Sequence, residues 1–172
     1  MTYIMVDVET DGPIPGTDEY SMILIGAIVV EPSLDRVFCG SLRPISQRWQ
    51  PEALAISKYS REETMNFEDP IVTMRAFALW IAESCPDRPF FVSDNNGFDW
   101  SFINWYFHHF LKENPFGHSS INLGSLYKGV YRNMEASFKH MRKTKPTHNP
   151  ADDARGNAEA FLCIMKGFGN FS

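Results

Sequence analysis

At 172 residues the chain has the length of one domain and can bury a full core without disulfide or metal staples. Its 44% hydrophobic and 22% charged composition excludes a disordered or membrane-embedded chain, and its longest apolar stretch, residues 22–30, falls well short of the ~20 residues a bilayer needs. The net charge of −5 excludes a uniformly basic surface, so a polyanionic partner would have to meet a local patch.

In chain order, residues 3–10 alternate at first, residues 22–30 are a continuous apolar run, and residues 36–42 follow a Pro/Ser/Asp turn. These are three strands, expected to pair antiparallel. A loop over 11–20, with Gly12, Pro13, Pro15 and Gly16, separates the first two. Asp69-Pro70 reads as an N-cap followed by proline at the first helical position, opening a helix over 70–84 with Ile71, Met74, Ala78 and Ile81 on one face. Residues 89–93 are a short buried strand, 97–112 an aromatic-rich helix behind Asn96 as cap, and 123–133 a further helix. Asn149-Pro150 repeats the cap-and-proline signal and opens a closing helix to Lys166. Strands first, helices afterwards and one strand between helices make a single mixed α/β domain over 1–172. No basic segment precedes the first apolar residues, so no signal peptide is expected. Cys39, Cys85 and Cys163 are odd in number and widely spaced, which fits a reducing, cytoplasmic home rather than a disulfide framework or a zinc knuckle.

Acidic residues then stand where core-building would not place them. Asp7 and Glu9, in "VDVET", point to one face of the first strand, about 6.6 Å apart along it, while Ile4, Val6 and Val8 point to the other. Two like charges side by side repel unless a cation sits between them or the strand end frays into solvent. Asp99, in "SDNNGFDWSFI", falls at the third helical position, where a carboxylate gains from the helix dipole. It also shares an inward stripe with Ile103, Tyr106 and Phe110. In "HNPADDA", Asp152 takes the capping-box position, whereas Asp153 shares a face with Asn157, Ala160, Phe161 and Ile164, and His148 lies at the same helix end. Each feature alone has a bland explanation. Together they supply an all-oxygen cluster suited to Mg²⁺ or Mn²⁺, plus a side chain of the type that titrates near neutrality.

"VDVET", "NNGFDWSFI" and "HNPADDA", in this order, resemble the three motifs of the DEDDh 3'→5' exonuclease superfamily. That superfamily includes ribonuclease T, oligoribonuclease and polymerase proofreading subunits, and the resemblance covers nearly the whole chain. "MILIGAIVV" and "PEALAISKYSREE" also sit where the family has its second strand and a substrate-side segment. The resemblance implies a ribonuclease H-like mixed sheet whose first three strands are antiparallel. It implies that Asp7, Glu9, Asp99 and Asp153 bind two divalent cations, with His148 as general base. Thr10, Asp11 and Gly12 would meet the terminal nucleotide through backbone groups, Asn95 matches a second-motif asparagine, and Phe98 and Trp100 would stack on bases unless they are simply core aromatics of the helix. The chain departs from the family in having Asp94 where many members have histidine, Leu24 where many have glutamate, and Pro150 where alanine is usual.

The expected activity is hydrolysis of single-stranded nucleic acid from its 3' end to nucleoside 5'-monophosphates. A small, free-standing, acidic member is more similar to the RNA-processing branch, so RNA is favoured over DNA. Family likeness also suggests a homodimer, in which one subunit's basic segment reaches the other's substrate. That segment carries Lys128, Arg132, Lys139, Arg142, Lys143 and Lys145 against Glu135 alone. The alternative is a catalytically silent module of the same fold that only binds nucleic acid or a partner. A zinc hydrolase fits less well, because His108 and His109 are adjacent rather than four apart. A Ser/His/Asp hydrolase has no nucleophile-elbow motif to support it.

Overall fold

The computed structural model describes residues 1–167. Its strands are β1 (Tyr3–Thr10), β2 (Met22–Val29), β3 (Val37–Ser41), β4 (Phe90–Ser93) and β5 (Ser120–Asn122). Its α-helices are α1 (Pro51–Ile56), α2 (Arg61–Thr64), α3 (Pro70–Ser84), α4 (Asn96–Tyr106), α5 (Leu123–Tyr131) and α6 (Pro150–Lys166). The strands form one sheet in the order β3-β2-β1-β4-β5, with β1–β2 and β2–β3 antiparallel and β1–β4 and β4–β5 parallel. The mixed sheet with an antiparallel first half is the architecture that the sequence predicts.

The two-residue period of β1 divides the core. Ile4, Val6 and Val8 join Ile25, Ala27, Phe91, Phe77, Phe102 and Tyr106 on the face covered by α3 and α4. Met5 joins Ile28, Val92, Ala154, Ala158 and Phe161 on the face covered by α6. Asp7 and Glu9 share the parity of Met5 and therefore face α6. Both proline-opened helices start as expected: Asp69 accepts the Ile71 N–H at 3.0 Å, and Asn149 accepts the Ala151 N–H at 3.0 Å.

Several elements differ from expectation. Asn95 takes the N-cap position of α4 without a side-chain capping bond, and Asn96 uses its amide across the sheet edge, accepting from the Ser120 hydroxyl at 2.8 Å and donating to the Ile121 carbonyl at 3.1 Å. This places Asp99 one position deeper in the helix than the sequence suggests. Beyond Tyr106 the helix loosens into a π-helical turn over Phe107–Leu111 and ends at Lys112 with φ 67°. The buried face of α3 centres on Met74, Phe77 and Ile81, with Ile71 and Ala78 at its margin. Asp152 does not close a capping box; its carboxylate accepts from the Thr147 hydroxyl at 2.9 Å. The three cysteines are free. No helix among the described residues is long and apolar enough to cross a membrane.

Candidate active site

β1 delivers Asp7 and Glu9 to the sheet face beneath α6. Immediately after Glu9 the β1–β2 register shifts: Glu9 pairs with Leu24 but Thr10 with Met22. Such a bulge re-aims the chain next to the acid pair. Opposite Asp7 in the register is Gly26, whose missing side chain lets the first turn of α6 lie directly on β2: a Cβ there would collide with the backbone of Pro150 and Ala151. This close approach lowers Asp153 towards the two strand acids, while α4 brings Asp99 from the β4 side.

The electrostatics show how tightly the acids are grouped. Burial raises the Asp7 carboxyl well above the ordinary carboxylate range, and the charges of Asp99, Asp153 and Glu9 raise it further, against the lowering effect of Arg142. Glu9, with its side chain only 12% exposed, is pushed up to about 7 by burial and by Asp153, with Lys58 opposing. Asp99, 2% exposed, is also raised to about 7 by burial, then by Asp94 and Glu9; bonds from the Ser93 hydroxyl and the Val8 N–H oppose the shift. Its Oδ2 is buried with no hydrogen-bond partner among the described residues. An orphaned carboxylate oxygen inside a ring of like charges is what a hard divalent cation relieves, so the residues present fit such an ion.

His148 completes the cluster. Its Nδ1 is 3.9 Å from Glu9 Oε1, and Glu9, His148 and Asp153 each bring a ligand-type atom within 4.8 Å of the others. The imidazole is 59% exposed and so open to solvent and substrate. Its backbone is left-handed, φ 60°, a conformation that costs a non-glycine residue about 1–3 kcal/mol and needs outside support.

The other predicted site residues divide. Thr10, Gly12 and Phe98 line a cavity of about 230 Å³ beside Glu9, together with Pro13, Ala53 and Ile56. Asn95 lies exposed at the start of α4. Asp11 does not reach the cleft. Its side chain is fully buried, accepts the Ser21 N–H and pairs with Arg61 at 2.7 Å, while its backbone N–H donates to the Ser21 carbonyl at 3.0 Å and its carbonyl accepts the Gln50 N–H at 2.8 Å, so side chain and backbone alike are engaged within the protein. Trp100 turns inward as well, edge-on against Phe91 at 5.0 Å.

Two basic residues that the sequence does not place beside the acids enter the site. Lys58 reaches from the turn between α1 and α2 to the Thr147 carbonyl at 2.7 Å, and its charge favours ionised Glu9. Arg142, with its side chain 9% exposed, pairs with Asp94 at 2.9 Å and lies over the Phe138 ring. It therefore balances the cluster from behind, and only the rest of the basic segment is left to face solvent. Both contacts join residues far apart in sequence, for which spacing offers no signal.

No protein-family model matches the chain. It is 39% identical over 175 aligned positions to the 3'-5' DNA exonuclease Cap18 of Escherichia coli, covering 95% of this chain and 91% of that protein. Among solved structures, cell-death related nuclease 4 (CRN-4) superposes with a TM-score of 0.77 at 14% identity, over 96% of this chain and 64% of that one. The nuclease domain of 3'hExo, described as a DEDDh family member bound to rAMP, gives 0.73 at 11% identity, over 96% and 91%. The E. coli ExoI–ssDNA complex gives 0.72 at 16% identity, over 98% of this chain but 41% of that one. The fold is thus the ribonuclease H-like fold of these nucleases.

Proposed function

The chain belongs to the DEDDh family of 3'→5' exonucleases, and from this premise we propose that it hydrolyses single-stranded DNA from the 3' end, with Asp7, Glu9, Asp99 and Asp153 holding two divalent cations and His148 acting as general base. The observation that carries this reading is the convergence of four acids from β1, α4 and α6, with the charges of Asp99, Asp153 and Glu9 acting on the buried Asp7 and with His148, Glu9 and Asp153 bringing ligand-type atoms within 4.8 Å of one another.

Mg²⁺ or Mn²⁺ bound by these acids would neutralise the scissile phosphodiester and acidify the attacking water. His148 receives a proton from that water as its oxygen bonds to phosphorus. The bond from phosphorus to the 3' oxygen breaks, and that oxygen takes a proton from solvent. A nucleoside 5'-monophosphate leaves, and the strand ends in a new 3' hydroxyl. A positioned base of this kind contributes about 10²–10⁴-fold.

The cavity beside Glu9 would take the terminal nucleoside, with Phe98 and Ile56 as its apolar walls. The name of the E. coli relative favours DNA over the RNA that the sequence suggests.

The test is digestion of matched 5'-labelled single-stranded DNA and RNA with Mg²⁺, Mn²⁺ or EDTA, beside His148→Ala. Shortening from the 3' end, dependent on metal, faster on DNA and reduced at least a hundredfold in the variant, is the expected result. Folded protein that shortens neither strand with any metal would leave a silent binding module as the better reading.

A further inference from the structure

Of the proposed catalytic groups, His148 alone lies outside regular structure, exposed and with a left-handed backbone. Thr147 has each of its polar groups engaged. Its N–H donates to Asp153 Oδ1 at 2.9 Å, its hydroxyl donates to Asp152 Oδ2 at 2.9 Å and accepts the Asn149 N–H at 3.1 Å, and its carbonyl accepts from Lys58 Nζ at 2.7 Å.

These partners come from three places: the first turn of α6, the α6 cap and the turn between α1 and α2. The hydroxyl bond to the Asn149 N–H closes a ring around His148 itself, joining the residues on either side of it. Lys58 is also left-handed, with φ 66°, and reaches the Thr147 carbonyl through its side chain. A side chain that must both donate and accept within this small space has to be a hydroxyl; valine would fill the same volume and make neither bond.

We propose that Thr147 is a positioning residue that locks the His148 backbone in its left-handed turn and thereby aims the imidazole at the Glu9–Asp153 side of the cluster. This rests on His148 serving as the base, but the hydrogen-bond lock can be tested with or without turnover.

The experiment compares wild type, Thr147→Val and Thr147→Ser. In Thr147→Val, kcat on a short single-stranded oligonucleotide falls roughly 10- to 100-fold, the range typical of removing a group that orients an active-site side chain. KM stays within about twofold and Tm within about 2 °C, because the side chain keeps its volume and no core contact changes. Thr147→Ser restores kcat. In NMR spectra of histidine-labelled protein, the His148 ring signal moves or broadens in the valine variant and returns in the serine variant, whether or not the oligonucleotide is cleaved. A valine variant with wild-type kcat, or with the His148 signal unmoved, overturns the proposal and leaves the exonuclease reading intact. An inactive wild type whose His148 signal still responds to Thr147→Val would sink the exonuclease reading and keep the lock.

Discussion

The Asp99 Oδ2 atom has neither solvent nor a hydrogen-bond partner among the described residues, and the nearby charges of Asp94 and Glu9 oppose its ionisation. In the sequence its position near a helix start offers an ordinary reason for a carboxylate, the helix dipole. The two explanations separate on substitution. If the dipole were the reason, Asp99→Asn would lower stability slightly and spare activity. If the acid is kept for a cation, removing its charge relieves a buried repulsion. We predict that Asp99→Asn raises the metal-free Tm at pH 8 by about 2–4 °C, the equivalent of ~1 kcal/mol for a domain of this size. The rate falls on the order of 10²–10³-fold, as for loss of a preorganised electrostatic group. Calorimetry in EDTA and initial rates in Mn²⁺ check both; a lower Tm with retained rate would return Asp99 to the dipole explanation. At this scale the acids were legible because their period and stripe pointed them somewhere definite. Trp100 was not, since neighbouring a motif in sequence says nothing about which way a side chain turns; Phe91 decided that.

Among the elements, β2 and α6 show why the site depends on packing as much as on ligands. α6 can lower Asp153 onto the sheet only because Gly26 leaves room for the Pro150 and Ala151 backbone. Backbone cannot yield as a flexible side chain can. Gly26→Ala is therefore expected to cost about 1–3 kcal/mol through overpacking and to lower kcat about 10²-fold, since a displacement near 1 Å at a reacting group has that effect. Gly129→Ala in α5, where no atom lies within 4 Å of the added carbon, is the control and should stabilise by about 0.5–1 kcal/mol with no change in rate. Thermal melts and steady-state kinetics on the two variants would decide it; equal behaviour of both would mean that α6 has slack at this contact. A glycine inside the apolar run of β2 is itself a sequence signal for close backbone approach, though not for what approaches. The cap-and-proline pairs of α3 and α6 were legible to the residue because they are local chemistry. Ser60 forms a full capping box with Glu63 at the start of α2, a signal present in the sequence, yet one turn of helix has no periodicity to confirm it. The three residues of β5 and the π-helical turn after α4 exist only through their neighbours.

For the whole molecule, the cluster reverses the usual dependence of stability on pH. Carboxyls in most folds are lowered, as Glu31 is by Arg36, and favour the folded state at higher pH. Asp7, Glu9 and Asp99 are raised, with burial as the first cause in each, so without metal the folded chain retains protons that the unfolded chain gives up. Unfolding then releases protons, and stability falls as pH rises from the ordinary carboxylate range to about 7, the value to which Glu9 and Asp99 are pushed. Glu31 and Glu63 act in the opposite sense, but both are at the surface, where solvent screens the effect. The site should therefore set the sign. In EDTA, Tm is expected to fall between pH 5 and pH 8 by on the order of 4–8 °C, corresponding to ~2 kcal/mol. Millimolar Mn²⁺ should recover most of this loss at pH 8 and little at pH 5, because the ion binds only the deprotonated acids and stabilises only the state that holds them together. Scanning fluorimetry across pH with and without metal measures both trends at once. A metal-free Tm that rises with pH, or a metal effect of equal size at both ends, would mean that these carboxylates are not gathered into one charged site in solution.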